Sequence, residues 1–253
     1  MRNEYMNELI PNNPTNWLDK MVNECNNYPV HLILNELDSN NSICIDAGAN
    51  VGGFSLSKWA EYFDKIVAFD ASSYNVKEYL KNVKDDKCKI YYHALAKNDN
   101  EKIKLMGYMG DDDITESGNF STTKFKYKHN NHGMDESNGY EEVDTISLES
   151  VLGSIGNDVD LLKIDIEGGE YDFLYKKDLS KIKFIIGEFH NFLFHDNLSG
   201  DVNQCDFPIS CECDGGRLYQ LYEWIRKTHK EIFSNGSAPH NHEIKVFKLK
   251  GIL

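Results

Sequence analysis

The constraint that most limits this chain is a repeating alternation. Short, nearly unbroken apolar runs are separated by segments with helical periodicity. The runs are ICIDA at 43–47, IVAF at 66–69, KIYYHAL at 89–95, VDLLKI at 159–164 and FIIGEF at 184–189. Runs without polar alternation suit strands covered on both faces. Between them Val76, Tyr79, Leu80 and Val83 fall at i, i+3, i+4 and i+7, as do Leu148, Val151, Leu152 and Ile155, and again Leu218, Leu221, Tyr222 and Ile225. That spacing puts one apolar stripe on each helix. The pattern predicts an α/β fold around a mostly parallel, doubly wound sheet. At the end KEIFSNG and HEIKVFKLK, split by a polar turn, predict an antiparallel hairpin closing the sheet edge.

Two regions stand outside this rhythm. Residues 1–40 read as a helical arm, with one helix around Trp17, Leu18, Met21 and Val22 and another around Val30, Leu32, Ile33, Leu34 and Leu37. This arm is expected to act as a lid or as packing, ahead of a main domain at 41–253. Within that domain, residues 96–147 form an insertion in which strands KIKLMGYM and EEVDTISL flank a polar stretch at 111–140. Loops of that length are functional or disordered, so a substrate lid and a surface insertion are both open readings.

Composition removes some functions. Lys and Arg number 27 against 41 Asp and Glu, a net charge of −14, and arginine occurs only at Arg2, Arg217 and Arg226. Such a chain is expected to repel polyanions, which argues against nucleic acid and anionic membranes as partners. No apolar run approaches the ~20 residues that span a bilayer, and the polar start MRNEYMNELIPNNP lacks a signal-like stretch. A cytoplasmic location is the expectation. Cys44 lies in a strand-like run, where a buried thiol is ordinary. Cys205, Cys211 and Cys213 lack paired C-x2-C arms and read as free thiols in a loop rather than a zinc site.

The chemistry gathers at the ends of the predicted strands. The first ends in Asp46-Ala47-Gly48-Ala49-Asn50-Val51-Gly52-Gly53, a glycine turn that lets backbone approach a ligand. The segment SLSKWAEYF after it is expected to be helical. A carboxylate at Asp46 would repel a pyrophosphate but suits a cationic ammonium, such as that of S-adenosylmethionine. Asp70 ends the second strand, where an acid can accept ribose hydroxyls. The fourth strand delivers Asp165, Glu167 and Glu170 around Gly168-Gly169, and the fifth delivers Glu188 and His190, which share a face at a spacing of two. So many carboxylates at one junction should line a polar cleft.

In order and spacing, IDAGANVGGFS, VAFDAS, HALAKNDN, VDTISLESVL, DLLKIDIEGGEYDFL and IIGEFHN resemble the FkbM-type S-adenosylmethionine-dependent methyltransferase family, over about residues 43–191. The block Lys163 to Glu170 carries the family's most specific motif. One departure is visible: the family's second strand more often ends in glutamate and proline, where this chain has Asp70-Ala71-Ser72. The resemblance implies a seven-stranded Rossmann-like sheet of class I methyltransferase architecture. It also implies S-adenosyl-L-methionine as cofactor, with Asp46, Gly48, Asn50, Gly52, Asp70, Ala71, Ala94 and Asp165 as its site. The implied reaction is O-methyl transfer to a hydroxyl of a sugar, glycan or hydroxylated natural product.

His190 is the first candidate for general base, because an unperturbed imidazole is largely neutral at cytosolic pH and Glu188 or Asp165 could orient it. Asp165 is the rival. Asp165, Glu167, Glu188 and His190 could instead hold Mg²⁺, which would lower the pKa of a coordinated hydroxyl. Methylation of an amine or protein side chain, and a non-catalytic binding protein of the same fold, are the alternatives. Acids gathered at the cleft favour a neutral acceptor over a phosphorylated one.

Overall fold

The computed structural model describes residues 14–37, 40–107, 120–121, 125–126, 133–134, 140–190, 214–235 and 242–251. Its strands are β1 (Ile43–Ala47), β2 (Lys65–Asp70), β3 (Cys88–Tyr92), β4 (Ala94–Leu95), β5 (Lys102–Gly107), β6 (Phe120–Ser121), β7 (Phe125–Lys126), β8 (Gly133–Met134), β9 (Glu141–Ile146), β10 (Val159–Ile164), β11 (Ile182–His190), β12 (His229–Ser234) and β13 (His242–Leu249). Its α-helices are α1 (Pro14–Asn26), α2 (Ser73–Asn82), α3 (Leu148–Ile155), α4 (Glu170–Leu174) and α5 (Asp214–Thr228).

Seven strands form the main sheet in the order β12-β13-β11-β10-β1-β2-β3. The pairs from β3 across to β11 are parallel, while β13 runs antiparallel to both β11 and β12. The terminal hairpin is thus present, but the last strand lies inside the sheet and β12 forms the edge. Order reverses beside β1, so a crevice opens beyond the carboxyl ends of β1 and β10, where ligands of open α/β sheets sit.

Period-two alternation sends each strand's residues to two different cores. Ile43, Ile45, Leu162, Ile164, Ile185 and Phe189 pack with α3, α4 and α5. Cys44, Ile66, Leu161, Phe184 and Ile186 pack on the other face, against the arm's Cys25, Tyr28, Val30 and Ile33 and against Phe54, Trp59 and Phe63. Asp46 and Lys163 share the parity of Cys44 and Leu161, and Glu188 and His190 that of Phe184 and Ile186. The acidic residues therefore face the arm.

Local signals place the helices. Ser72 and Ser147 accept N-cap bonds from Asn75 and Ser150, the donor-satisfying role such side chains fill. Gly156, with φ +76°, ends α3. KIYYHAL does not form one strand: His93 separates β3 from β4, and β4 joins a second sheet, β4-β9-β5-β6, built from the insertion. The described part of that insertion contains the two expected strands; most of 111–140 lies outside the described residues, as do Cys205, Cys211 and Cys213.

Two helix expectations are corrected. Residues 55–63 form successive turns ending in a 3-10 turn, Ala60–Tyr62, rather than an α-helix. The Ser57 hydroxyl donates to the Phe54 carbonyl at 2.7 Å, an alternative to the helical ladder that serine readily offers. In the arm α1 is present, but Val30–Leu32 and Leu34–Glu36 are two 3-10 turns. Among the described residues no helix is long and apolar enough to cross a membrane.

Candidate active site

The glycine turn is held open by close backbone approach. Gly48 has φ +79°, and a Cβ there would lie 1.7 Å from the Asp165 carbonyl oxygen, so only glycine fits. The Asp165 N–H donates to the Ala47 carbonyl at 3.0 Å, which locks the β1 and β10 exits together. Asn50 has φ +49°, and its N–H donates to Asp70 Oδ2 at 2.8 Å. Gly52 closes the turn by donating to the Ala49 carbonyl.

Asp46 is fully buried, and the cation it meets is Lys163, opposite it in the parallel register, with Nζ 3.1 Å from Oδ1. Lys163 also donates to the Gly48 carbonyl at 2.8 Å. Burial raises the Asp46 pKa against the lowering effect of Lys163. Burial would lower that of Lys163, but Asp46 and Asp165 outweigh it and raise it. In the sequence Lys163 stands out only as part of a motif. Asp46 Oδ2 has no hydrogen-bond partner among the described residues.

Asp70 is more fully engaged. Besides Asn50 N–H, its Oδ1 accepts from Ser72 N at 2.8 Å and from Asn75 Nδ2 at 3.2 Å. Burial pushes its pKa up to about 6, against the lowering effect of these donors. Ala71 packs on a small cluster containing Ala94, which sits in β4.

At the tips of β10 and β11 the remaining acids surround His190. Its Nδ1 lies 3.0 Å from Glu170 Oε1, while Nε2 is 3.4 Å from Glu167, 3.8 Å from Glu188 and 3.9 Å from Asp165. Glu170 Oε1 also accepts the N–H groups of Ile166 and Gly168, so one oxygen both ties the 166–170 turn and orients the imidazole. Burial would lower the His190 pKa, but Glu167 and Glu170 outweigh it and raise it well above the ordinary value. These carboxylates favour the protonated ring, against the neutral imidazole expected at cytosolic pH. Burial pushes Glu167 up to about 7 and Glu188 up to about 8.

Asp165, Glu167 and His190 converge with ligand atoms within 4.8 Å of one another; Glu188 is not in that group. Two carboxylates and an imidazole make a donor set suited to Mn²⁺ or Zn²⁺ as well as to Mg²⁺. Tyr28, which sequence reasoning passed over, donates from its hydroxyl to Asp165 Oδ2 at 3.2 Å and lies 3.5 Å from Glu188 Oε2.

Residues 46–224 match the methyltransferase FkbM domain. The chain belongs to this methyltransferase family. Membership makes it an S-adenosylmethionine-dependent methyltransferase and agrees with the seven-stranded sheet. No curated protein matches the chain. Solved structures of similar fold include M. capricolum TrmK in complex with S-adenosyl-homocysteine, at 10% identity and TM-score 0.42 over 87% of this chain and 67% of that one. An rRNA methylase from Streptococcus thermophilus is similar at 9% identity and TM-score 0.46, covering 87% and 93%. The Methanococcus jannaschii fibrillarin pre-rRNA processing protein is similar at 11% identity and TM-score 0.46, covering 84% and 68%.

The exclusion of nucleic acid as a partner is withdrawn, because it does not follow from net charge alone. The physical reason is that net charge sums over the whole surface, whereas an acceptor meets only the local field at the cleft mouth.

Proposed function

We propose that this family member transfers a methyl group from S-adenosylmethionine to a hydroxyl oxygen of a sugar or other hydroxylated molecule, in the crevice beyond β1, β10 and β11. The observation that carries the reading is the gathering of partly exposed carboxylates, Asp165 at 28% and Glu188 at 21%, beside the glycine turn. When bound, the cofactor supplies an electrophilic methyl group on a sulfonium.

The residues present fit that cofactor. Asp46 Oδ2, buried and without a partner among the described residues, is an acceptor suited to an ammonium, and Lys163 fixes the carboxylate that carries it. Leaving such an oxygen unmade costs stability, which a ligand donor would relieve. Asn50, Gly48 and Gly52 shape the turn. Asp70 is left to take ribose hydroxyls, with the small Ala71 and Ala94 leaving room beside it.

Asp165 and Glu188 take the acceptor's proton and orient its oxygen, work that typically contributes ~10²–10⁴-fold. His190 is only 5% exposed, and as a cation it holds the carboxylates together rather than accepting a proton. A divalent cation held by Asp165, Glu167 and His190 would displace the imidazolium proton, because a ligand nitrogen must be neutral, and would acidify a coordinated hydroxyl. Much of the remaining acceleration comes from alignment of the acceptor oxygen with the methyl carbon. A cytoplasmic location forms part of this reading.

The test is transfer of a labelled methyl group to a panel of glycans, hydroxylated small molecules, RNA and amines. Label on a hydroxyl oxygen, in a glycan or a ribose, is the expected result and would name the acceptor. Label confined to amines would overturn the hydroxyl reading.

A further inference from the structure

The N-terminal arm is fastened to the crevice by polar groups as well as by its apolar face. Trp17 Nε1 donates to Asn50 Oδ1 at 3.4 Å, and Asn50 is the residue whose N–H seats Asp70. Tyr28 donates to Asp165. Further along, the Cys25 carbonyl accepts from Trp59 Nε1 at 3.0 Å, and Asn26 Oδ1 accepts from the Lys58 N–H at 2.9 Å.

The backbones also touch. A Cβ on Gly53 would fall 2.9 Å from the Met21 carbonyl, although Gly53 itself has no left-handed φ. What excludes a side chain at Gly53 is therefore the arm. The Cys25 thiol is pushed up to about 12, chiefly by burial, and lies near enough to Lys163, Asp46 and Asp165 to feel their charges. The arm thus covers the very carboxylate whose second oxygen has no partner. An element that only shielded the core would need its apolar contacts alone; here two of its polar groups end on Asn50 and Asp165.

We propose that the arm, residues 14–37, is one wall of the cofactor site, with Trp17 and Tyr28 as positioning residues that hold Asn50 and Asp165 toward S-adenosylmethionine. The inference rests on the reading that the turn at 46–52 and Asp165 bind that cofactor. Removing either bond loosens the hold on its partner, so affinity falls although no atom of the glycine turn has changed.

The experiment uses the full chain with S-adenosylhomocysteine as probe, reading affinity by calorimetry and backbone hydrogen exchange across 14–37. Tyr28→Phe keeps the ring and Trp17→Phe keeps an aromatic side chain, each without the donor, and Gly53→Ala lifts the arm. The expected result is wild-type binding that slows exchange in the arm, and a loss of about tenfold in affinity for each variant, near the scale of one hydrogen bond. Should Gly53→Ala not fold, the two aromatic variants decide. Wild-type affinity in both, or arm exchange unchanged by the probe, would overturn the inference and leave the arm as packing. No binding by the wild-type chain would instead overturn the cofactor reading and the inference with it.

Discussion

Asp46 and Asp165 stand at the exits of neighbouring parallel strands, yet their carboxylates live in different surroundings. Asp46 is sealed, with Lys163 3.1 Å away in register. Asp165 is 28% exposed, with Tyr28 on one oxygen and His190 Nε2 3.9 Å from the other. Both are acids at the same end of one sheet, so position at a strand tip does not set the role. A cation on the adjacent strand and the arm packed over the face decide it. Under the proposed function, the first acid is an anchor with one oxygen kept for the cofactor, and the second meets the acceptor.

The largest effect that could break this contrast is on stability. Lys163→Met leaves a buried carboxylate unpaired, and chemical denaturation should show a loss of ~3–5 kcal/mol. Much of it should return when Asp46→Asn is added; a loss under ~1 kcal/mol would mean the pair is not the anchor described. Next is Asp165→Asn, expected to lower labelled-methyl turnover by ~10²–10⁴-fold while leaving thermal stability almost unchanged. A large drop in stability would make Asp165 structural too and erase the distinction.

Legibility in the sequence followed the same contrast. The strands at 43–47 and 159–164, and α3 at 148–155, were readable because apolar periodicity reports burial directly. The partnership of Asp46 with Lys163 was not, since it depends on how β1 and β10 pair in register across more than a hundred residues. Tyr28 was invisible for a similar reason: a tyrosine before Pro29 looks like any surface turn residue until the arm is laid on the strand tips. Glu170 was quoted in the motif, but its grip on His190 required the 166–170 turn to fold back. The failed helix at 55–63 shows the limit of periodicity where serine hydroxyls compete for the backbone.

Two smaller effects sharpen the account of the cluster. Glu170→Gln removes the carboxylate charge beside His190 Nδ1 and weakens two backbone bonds, so stability should fall by about 1–2 kcal/mol. The His190 titration, followed by NMR, should move down toward the ordinary imidazole value; an unmoved titration would show that Glu170 does not hold the cation.

Asp70→Asn should weaken cofactor binding by about tenfold, because an amide nitrogen would face the Asn50 N–H or the ribose hydroxyls would lose an acceptor. The sign with pH is opposite for folding and for binding. The folded-state pKa of Asp70 is about 6, above its ordinary value, so folding takes up a proton and this residue's contribution to stability is lost as pH rises through about 6. Binding needs the ionised form and weakens as pH falls through about 6. Both trends are read as differences between the wild type and Asp70→Asn, and both should vanish in the variant.

The central claim, that the crevice beyond β1 and β10 is a cofactor site built around the Asp46 anchor and the Asp70 acceptor, is tested most directly by calorimetry with S-adenosylhomocysteine. The account predicts one binding event per wild-type chain and a marked loss of affinity in Asp70→Asn. No heat of binding with the folded wild-type chain, or equal affinity in the variant, would contradict it.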